Sequence, residues 1–254
     1  MDDLALLLAW LRAVARDRAV SAIPVPGGEA FLHPDFPLAH DHNRLLISGP
    51  CGAPALHEAA DAVLGGAGLA HRLIDVQSLE VADAVTAGLL GYGYERSEDL
   101  IMRHAGGPRQ PRPLPGPVVE LALPERAAVA EAEWRRDKPD GAPDLARQLG
   151  WRILTMPTAA HTTFLAVRDE DTGAVLAHAD LYVRDGIAQI EEVMTDPAHQ
   201  NRGLASAVVN AAVQRAAAAD LLFLIADGED WPQQWYRTLG FADLGRTASF
   251  ATPS

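Results

Sequence analysis

A single cysteine, Cys51, stands among 254 residues, so the chain has no partner with which to close an internal disulfide, and Cys51 reads as a plain buried or loop thiol. The nine histidines are scattered without ligand spacing, which argues against a structural zinc site and leaves no metal expected. Basic residues are also scarce, 21 against 34 acidic ones, for a formal charge of −13. That balance opposes binding to a nucleic-acid backbone, which relies on Lys and Arg to displace counterions, and favours an amine or other cationic acceptor. No long apolar run opens the chain. The stretch over residues 4–11 is broken by Arg12 and preceded by Asp2 and Asp3, whereas a signal peptide wants a basic start and a spanning helix about 20 apolar residues. The expectation is a soluble cytoplasmic protein with neither nucleic-acid nor membrane partners.

What is present is ample core: 48% of residues are hydrophobic, sufficient for one large or two ordinary domains. Proline and glycine concentrate over residues 106–116 and deny the backbone both helix continuation and strand pairing. The spacing therefore predicts domains at 1–106 and 117–254 joined by a linker at 107–116. In the first, helices are expected over 4–14, 55–64 and 79–90, and strands over 43–48, 72–76 and 97–103. In the second, strands are expected over 118–123, 162–167, 175–183, 187–195, 221–226 and 241–250, with helices over 126–136, 144–154, 202–218 and 230–239. Asp185-Gly186 signals a tight hairpin between two of these strands, and Asp230 with Gln233 reads as a capping box. Strand, helix and Leu90-Gly91-Tyr92 in the first part echo strand, helix and Leu239-Gly240-Phe241 in the second, the pattern of a duplicated fold.

The most informative segment runs from the strand Ile190-Glu191-Glu192-Val193-Met194-Thr195 through Asp196-Pro197 into Gln200-Asn201-Arg202-Gly203-Leu204-Ala205-Ser206 and a long Ala-rich helix. Pro197 ends the strand, and the first amides of the helix have no intrahelical acceptors. Together with the helix dipole they make a site for phosphate. Gly203 lets a ligand approach without a Cβ in the way, Ala205 keeps the next contact small, and Arg202 adds positive charge.

With Gln200, Gly203 and Ala205 in that turn, and Tyr236, Gly240 and Phe241 one strand later, residues 117–250 resemble the GNAT superfamily of N-acetyltransferases. The resemblance implies a mixed α/β fold with a mostly antiparallel central sheet, splayed where pantetheine enters, and one such domain in each part of the chain. It implies acetyl-CoA as co-substrate, its pyrophosphate on residues 200–206 and its acetyl and pantetheine groups along the main chain of Val193, Met194 and Thr195. Many members carry Asn where this chain has Glu229, which affects a pantetheine contact. The first part has no such turn, since its equivalent helix starts near Pro54-Ala55, so the chain resembles tandem acetyltransferases with a degenerate first repeat.

Direct transfer to an amine needs a base, an acid and an oxyanion donor. Tyr236 matches the family's general-acid position. Glu191 is the first choice of base, because the polyamine-acetylating branch resembles this segment in its acidic pair. Strand alternation sends Glu191 and Glu192 to opposite faces unless a bulge intervenes, so only one is expected to face the acceptor. His178, Asp180 and Tyr182 share one strand face and are the candidate acceptor-pocket residues. Imidazoles ordinarily titrate near neutrality, which makes His178 an alternative base. Trp231 and Trp235 are candidates to shape the pocket. The reading is an N-acetyltransferase acting on a small-molecule, peptide or protein amine, with a non-catalytic acyl-CoA sensor or scaffold as the alternative.

Overall fold

The computed structural model describes residues 2–106, 117–228 and 232–253. The expected linker at 107–116, and Glu229, Asp230 and Trp231, lie outside the described residues. In chain order the first half folds as α1 (Asp3–Arg18), β1 (Ser21–Val25), β2 (Gly28–Leu32), β3 (Arg44–Ile47), α2 (Ala53–Ala60), β4 (Leu73–Val76), α3 (Leu79–Gly91) and β5 (Glu95–His104). The second comprises β6 (Val118–Leu121), α4 (Leu123–Asp137), α5 (Leu145–Trp151), β7 (His161–Arg168), β8 (Val175–Arg184), β9 (Ile187–Thr195), α6 (Leu204–Arg215), β10 (Leu221–Asp227), α7 (Pro232–Thr238) and β11 (Phe241–Ala251). Two elements depart from the sequence reading. The β1–β2 hairpin has no alternating apolar pattern to announce it, because β1 is an exposed edge strand that tolerates Pro24. The helix expected over 144–154 stops at Trp151 and continues as a 3-10 turn over Arg152–Thr158, which contains Pro157.

The fold is mixed α/β with a mostly antiparallel sheet flanked by helices. Among the described residues eleven strands join one sheet in the order β1-β2-β3-β4-β11-β5-β10-β9-β8-β7-β6, and of their pairings only β3–β4 and β9–β10 are parallel. Apart from β6, the order reads the same from either end when each strand of the first half is matched to the one six later. The last strand of each half lies inside the other: β5 pairs with both β10 and β11, and β11 with both β4 and β5. The halves thus share hydrogen bonds instead of closing separate sheets.

Alternation along the strands sorts the second half's core into two faces. On one, Ile190, Leu222 and Leu224 pack against Val208 and Ala212 of α6 and Tyr236 of α7. On the other, Phe164, Tyr182 and Phe223 pack against α1, α4 and the 3-10 turn. Asp2 caps α1 by accepting from the Ala5 amide at 2.7 Å, and its apolar side chains Leu7, Trp10 and Val14 reach the second half. Trp10 meets Phe223 edge-on at 5.4 Å and donates its indole N–H to the Arg184 carbonyl at 3.2 Å. Burial of each such side chain contributes about 1.5–3 kcal/mol, enough to fix α1 over the sheet face where a cavity opens.

Candidate active site

β8 and β9 turn through Asp185 and Gly186, whose φ values of 51° and 77° fit the tight hairpin that the sequence announces. Further along, β9 loses register with β8. His178 faces Met194 but Asp180 faces Glu191, so β9 carries one extra residue. The bulge is taken up at Glu192, whose φ of 52° is unusual for a side chain of this size. Across the other edge, parallel pairing with β10 ends at Ile190 opposite Leu224, although β9 runs on to Thr195 and β10 to Asp227. The two strands therefore part over their last residues, and the sheet opens between them.

On the α6 side of that opening lies a cavity of about 450 Å³ lined by Val193, Met194 and Thr195 of β9, by Gln200, Asn201 and Gly203 to Ser206, and by Pro232, Trp235 and Tyr236. Gly203 caps α6 in the left-handed conformation, φ 80°, and no side chain caps the helix. The first intrahelical bond runs from the Ala207 amide to the Gly203 carbonyl at 3.1 Å. The amides before it are the donors that an anion takes at a helix start. Space where a Gly203 Cβ would project is open. Of the residues expected here, Arg202 alone does not line the cavity; it is exposed to solvent.

On the opposite face, between α1, α4 and the 3-10 turn, a second cavity of about 730 Å³ is lined by both Glu191 and Glu192, by Tyr182 and by Ile225 of β10, just beyond the last residue that pairs with β9. The expectation that only one glutamate faces this side is corrected by the bulge at Glu192, which suspends strict alternation. The two carboxylates differ in surroundings. Glu192 accepts from Arg152 at 3.0 Å and lies 3.8 Å from Arg126. Glu191 accepts from the Gln189 amide, and burial, reinforced by the charge of Glu192, pushes its pKa up to about 8. Tyr236 is 8% exposed and packs edge-on against Phe241 at 6.0 Å. Burial, with the Glu191 charge adding to it, pushes the phenol up to about 12. The influence of Glu191 on Tyr236 thus reaches across the opening.

His178, Asp180 and Tyr182 do share a strand face, but only Tyr182 reaches the cavity. α4 covers the other two. His178 is 1% exposed, with Nε2 3.0 Å from both Glu133 carboxylate oxygens. Asp180 is fully buried, accepting from Arg126 at 2.7 Å and from the Tyr182 hydroxyl at 3.0 Å. The pair Arg126–Asp180 is therefore a structural strut under the cavity floor. Asp180→Ala should destabilise the protein by about 3–5 kcal/mol, because it strands a buried guanidinium. Urea denaturation measures this, and a loss below about 1 kcal/mol, the size of an exposed pair, would contradict it. Trp235 lines the α6-side cavity, and the capping partner expected for Gln233 lies outside the described residues; Gln233 donates to the Asp227 carbonyl at 2.7 Å.

The second cavity also holds residues that sequence patterning did not single out: Arg18 in the last turn of α1, His40 and Asp41 in a 3-10 turn, and Arg152. Arg152 bridges Asp41 at 3.4 Å and Glu192 at 3.0 Å. Burial alone would raise the Asp41 carboxyl, but Arg152, His42, Arg18 and Arg44 hold it far below the usual carboxylate range. Nothing local in the sequence marks these residues, since Arg18 reads simply as a cation suited to a helix C-terminus.

An uncapped helix start, Glu191 and Tyr236 flank the place where two parallel strands diverge, and the family match makes the protein an acyltransferase. Residues 127–241 match the Acetyltransferase (GNAT) family model, and the chain carries an acetyltransferase domain of that family. Among solved structures, a conserved protein of unknown function from Staphylococcus epidermidis aligns over 91% of this chain and 93% of its own, with a TM-score of 0.69 and 14% identity. A GCN5-related N-acetyltransferase from Kribbella flavida covers 100% of this chain and 97% of its own, with a TM-score of 0.64 and 17% identity. A tandem GNAT protein from the clavulanic acid biosynthesis pathway covers 80% and 69%, at a TM-score of 0.55 and 15% identity. At these identities the likeness is one of fold. Among curated proteins none matches the sequence significantly. No helix among the described residues is long and apolar enough to cross a membrane.

Proposed function

We propose that the protein transfers an acetyl group from acetyl-CoA directly to an amine, acting in the cytoplasm. The observation that carries this reading is the pair of cavities on opposite faces of the sheet, flanking one opening, with Glu191 and Tyr236 beside it. The donor's pyrophosphate takes the bare amides around Gly203, and its pantetheine arm follows the edge of β9 that has parted from β10, from Thr195 towards Val193. The acceptor enters from the α1 side. Its nitrogen sheds a proton to Glu191, directly or through water, and attacks the thioester carbonyl. As the C–S bond breaks, the Tyr236 hydroxyl protonates the leaving sulfur, and the second proton that the nitrogen gives up on becoming an amide restores the phenol through water. A cavity of about 730 Å³ is the size of a small-molecule site. Glu192, held by Arg152, positions its neighbour and raises its basicity.

Thiol release from acetyl-CoA across a panel of amines, with the product identified by mass spectrometry, tests the reading. An N-acetylated amine is the expected result; calorimetry finding no affinity for CoA would overturn it. Longer acyl-CoA donors in the same assay define the acyl group. At the phosphate site, Gly203→Val should weaken CoA binding at least tenfold. A β-branched residue is strained at φ 80°, and relief of that strain shifts the helix start whose amides the pyrophosphate takes. Undiminished CoA affinity in that variant would move the pyrophosphate elsewhere.

We further read the first half as a second copy of the fold without a donor site. The end-to-end equivalence of the strand order supports this, as does α2 following β3 where α6 follows its counterpart β9. Pro54 removes one amide from the start of α2. β3 and β4 stay paired as far as Ile47 and Val76, the last residue of each, so no opening forms between them. The first half then serves the second, by lending β5 to its sheet and α1 to its acceptor cavity.

A further inference from the structure

We propose that the acceptor carries an anionic group, in the simplest case a carboxylate, alongside its amine, and that Arg18 of the first half receives it. This rests on the acceptor cavity assigned above and names the chemistry of what enters it. The charges lining that cavity are mostly matched among themselves. Asp41 and Glu192 are bridged by Arg152, and Arg44 pairs with Asp75 at 3.0 Å. Arg18 is the exception among the arginines. Its Nε donates to Thr155 Oγ1 at 3.0 Å and one terminal nitrogen meets His42 Nε2 at 2.6 Å. Both partners are neutral, since burial pulls the His42 pKa down to about 3. Among the described residues no carboxylate lies within ion-pair distance of Arg18, and burial lowers its own pKa, as it does for a cation short of a counter-charge. Asp41, whose charge reaches it, is already engaged by Arg152.

A buried guanidinium is stable when a ligand supplies the missing anion, and its planar fork suits a carboxylate. Lys138, also lining the cavity and exposed, has no acidic partner among the described residues either. The local field therefore runs against the chain's net charge of −13: the acids that lie here are neutralised, and the cation is left over. Arg18 and Glu191 line the same cavity, and the charge of Arg18 is among those that act on Glu191. An amino carboxylate placed between them sets its carboxylate on Arg18 and its nitrogen beside the base.

The test uses the full chain and matched pairs of probes. N-acetyl amino acids and their carboxamides, which are product analogues and need no turnover, are titrated calorimetrically in the presence of CoA. The parent amino acids and amino amides are compared in thiol release. The expected result is tighter binding and higher kcat/KM for the carboxylates by at least tenfold, a preference lost in Arg18→Met with CoA affinity unchanged. If that variant fails to fold, Arg18→Gln keeps an amide donor towards Thr155 and His42 and should lose the preference equally. Equal binding of carboxamides, no binding of either member of any pair, or a preference that survives the loss of Arg18 would overturn the proposal. Thiol release with uncharged amines alone sinks the Arg18 assignment but leaves acyl transfer standing. Carboxylate binding without thiol release from any amine does the reverse.

Discussion

Replacing Tyr236 with Phe is expected to lower kcat by about 10²- to 10⁴-fold, the range of a lost general acid, with CoA affinity and thermal stability unchanged. The ring's packing survives the change: Phe keeps the contact with Trp235, 4.8 Å between ring centres, and the edge contact with Phe241. Only the proton is removed. A phenol pushed up to about 12 stays protonated across the neutral range, so it is a donor ready for a thiolate and never a competing base. Pre-steady-state thiol release separates this step from product departure. Full activity in the Phe variant would assign leaving-group protonation to another group and reduce Tyr236 to a packing residue.

Glu191→Gln should reduce kcat by a comparable about 10²–10⁴-fold and, unlike the Tyr236 variant, should alter the pH dependence of both activity and stability. With its pKa near 8, the wild-type carboxyl is protonated at neutral pH, so kcat/KM for an acceptor should climb towards pH 8 and then level. The variant should lack that limb. Stability moves the other way. The folded-state value lies above the ordinary 4.5, so the folded protein binds more protons than the unfolded chain between those limits, and stability falls as pH rises through the window. Gln carries no such penalty. The variant's Tm should exceed that of the wild type by a margin that grows from pH 5 to pH 8. A margin that shrank with pH would mean that the carboxylate is stabilised in place. Glu192→Gln removes the like charge and frees Arg152, and both effects lower the Glu191 midpoint, which shifts the activity limb to lower pH.

The residues of the two cavities differ in how far the sequence announces them. The turn at Gly203 was legible because its chemistry is local: a glycine after a strand and before a long helix must present bare amides, and the structure has them there, with Tyr236 on the same cavity. Glu191 and Glu192 were legible as a pair, but their directions were not. Strand alternation assigns them to opposite faces, and the bulge that cancels it depends on how β8 holds β9 and on Arg126 and Arg152 approaching Glu192. His178 and Asp180 fell on the expected face and were then covered by α4, a fact of packing between segments about 50 residues apart. Arg18 and Asp41 were invisible for the same reason, since each reaches the cavity from the other half of the chain.

The division of the chain shows the same contrast at larger scale. Proline and glycine near residues 106–116 separate two runs of strands and helices, and the repeat of strand, helix and Leu-Gly-aromatic is written in the residues themselves. The sequence by itself determined the elements, the hairpin at Asp185-Gly186 and the turn at Gly203 that opens α6, because each depends on backbone preferences acting over a few residues. Only the tertiary structure decided that β5 and β11 lie inside each other's halves, that both glutamates share one cavity, and that α1 lines it. Those outcomes are set by pairing and burial between distant segments, where free energy depends on which surfaces meet and no single stretch of sequence contains both partners.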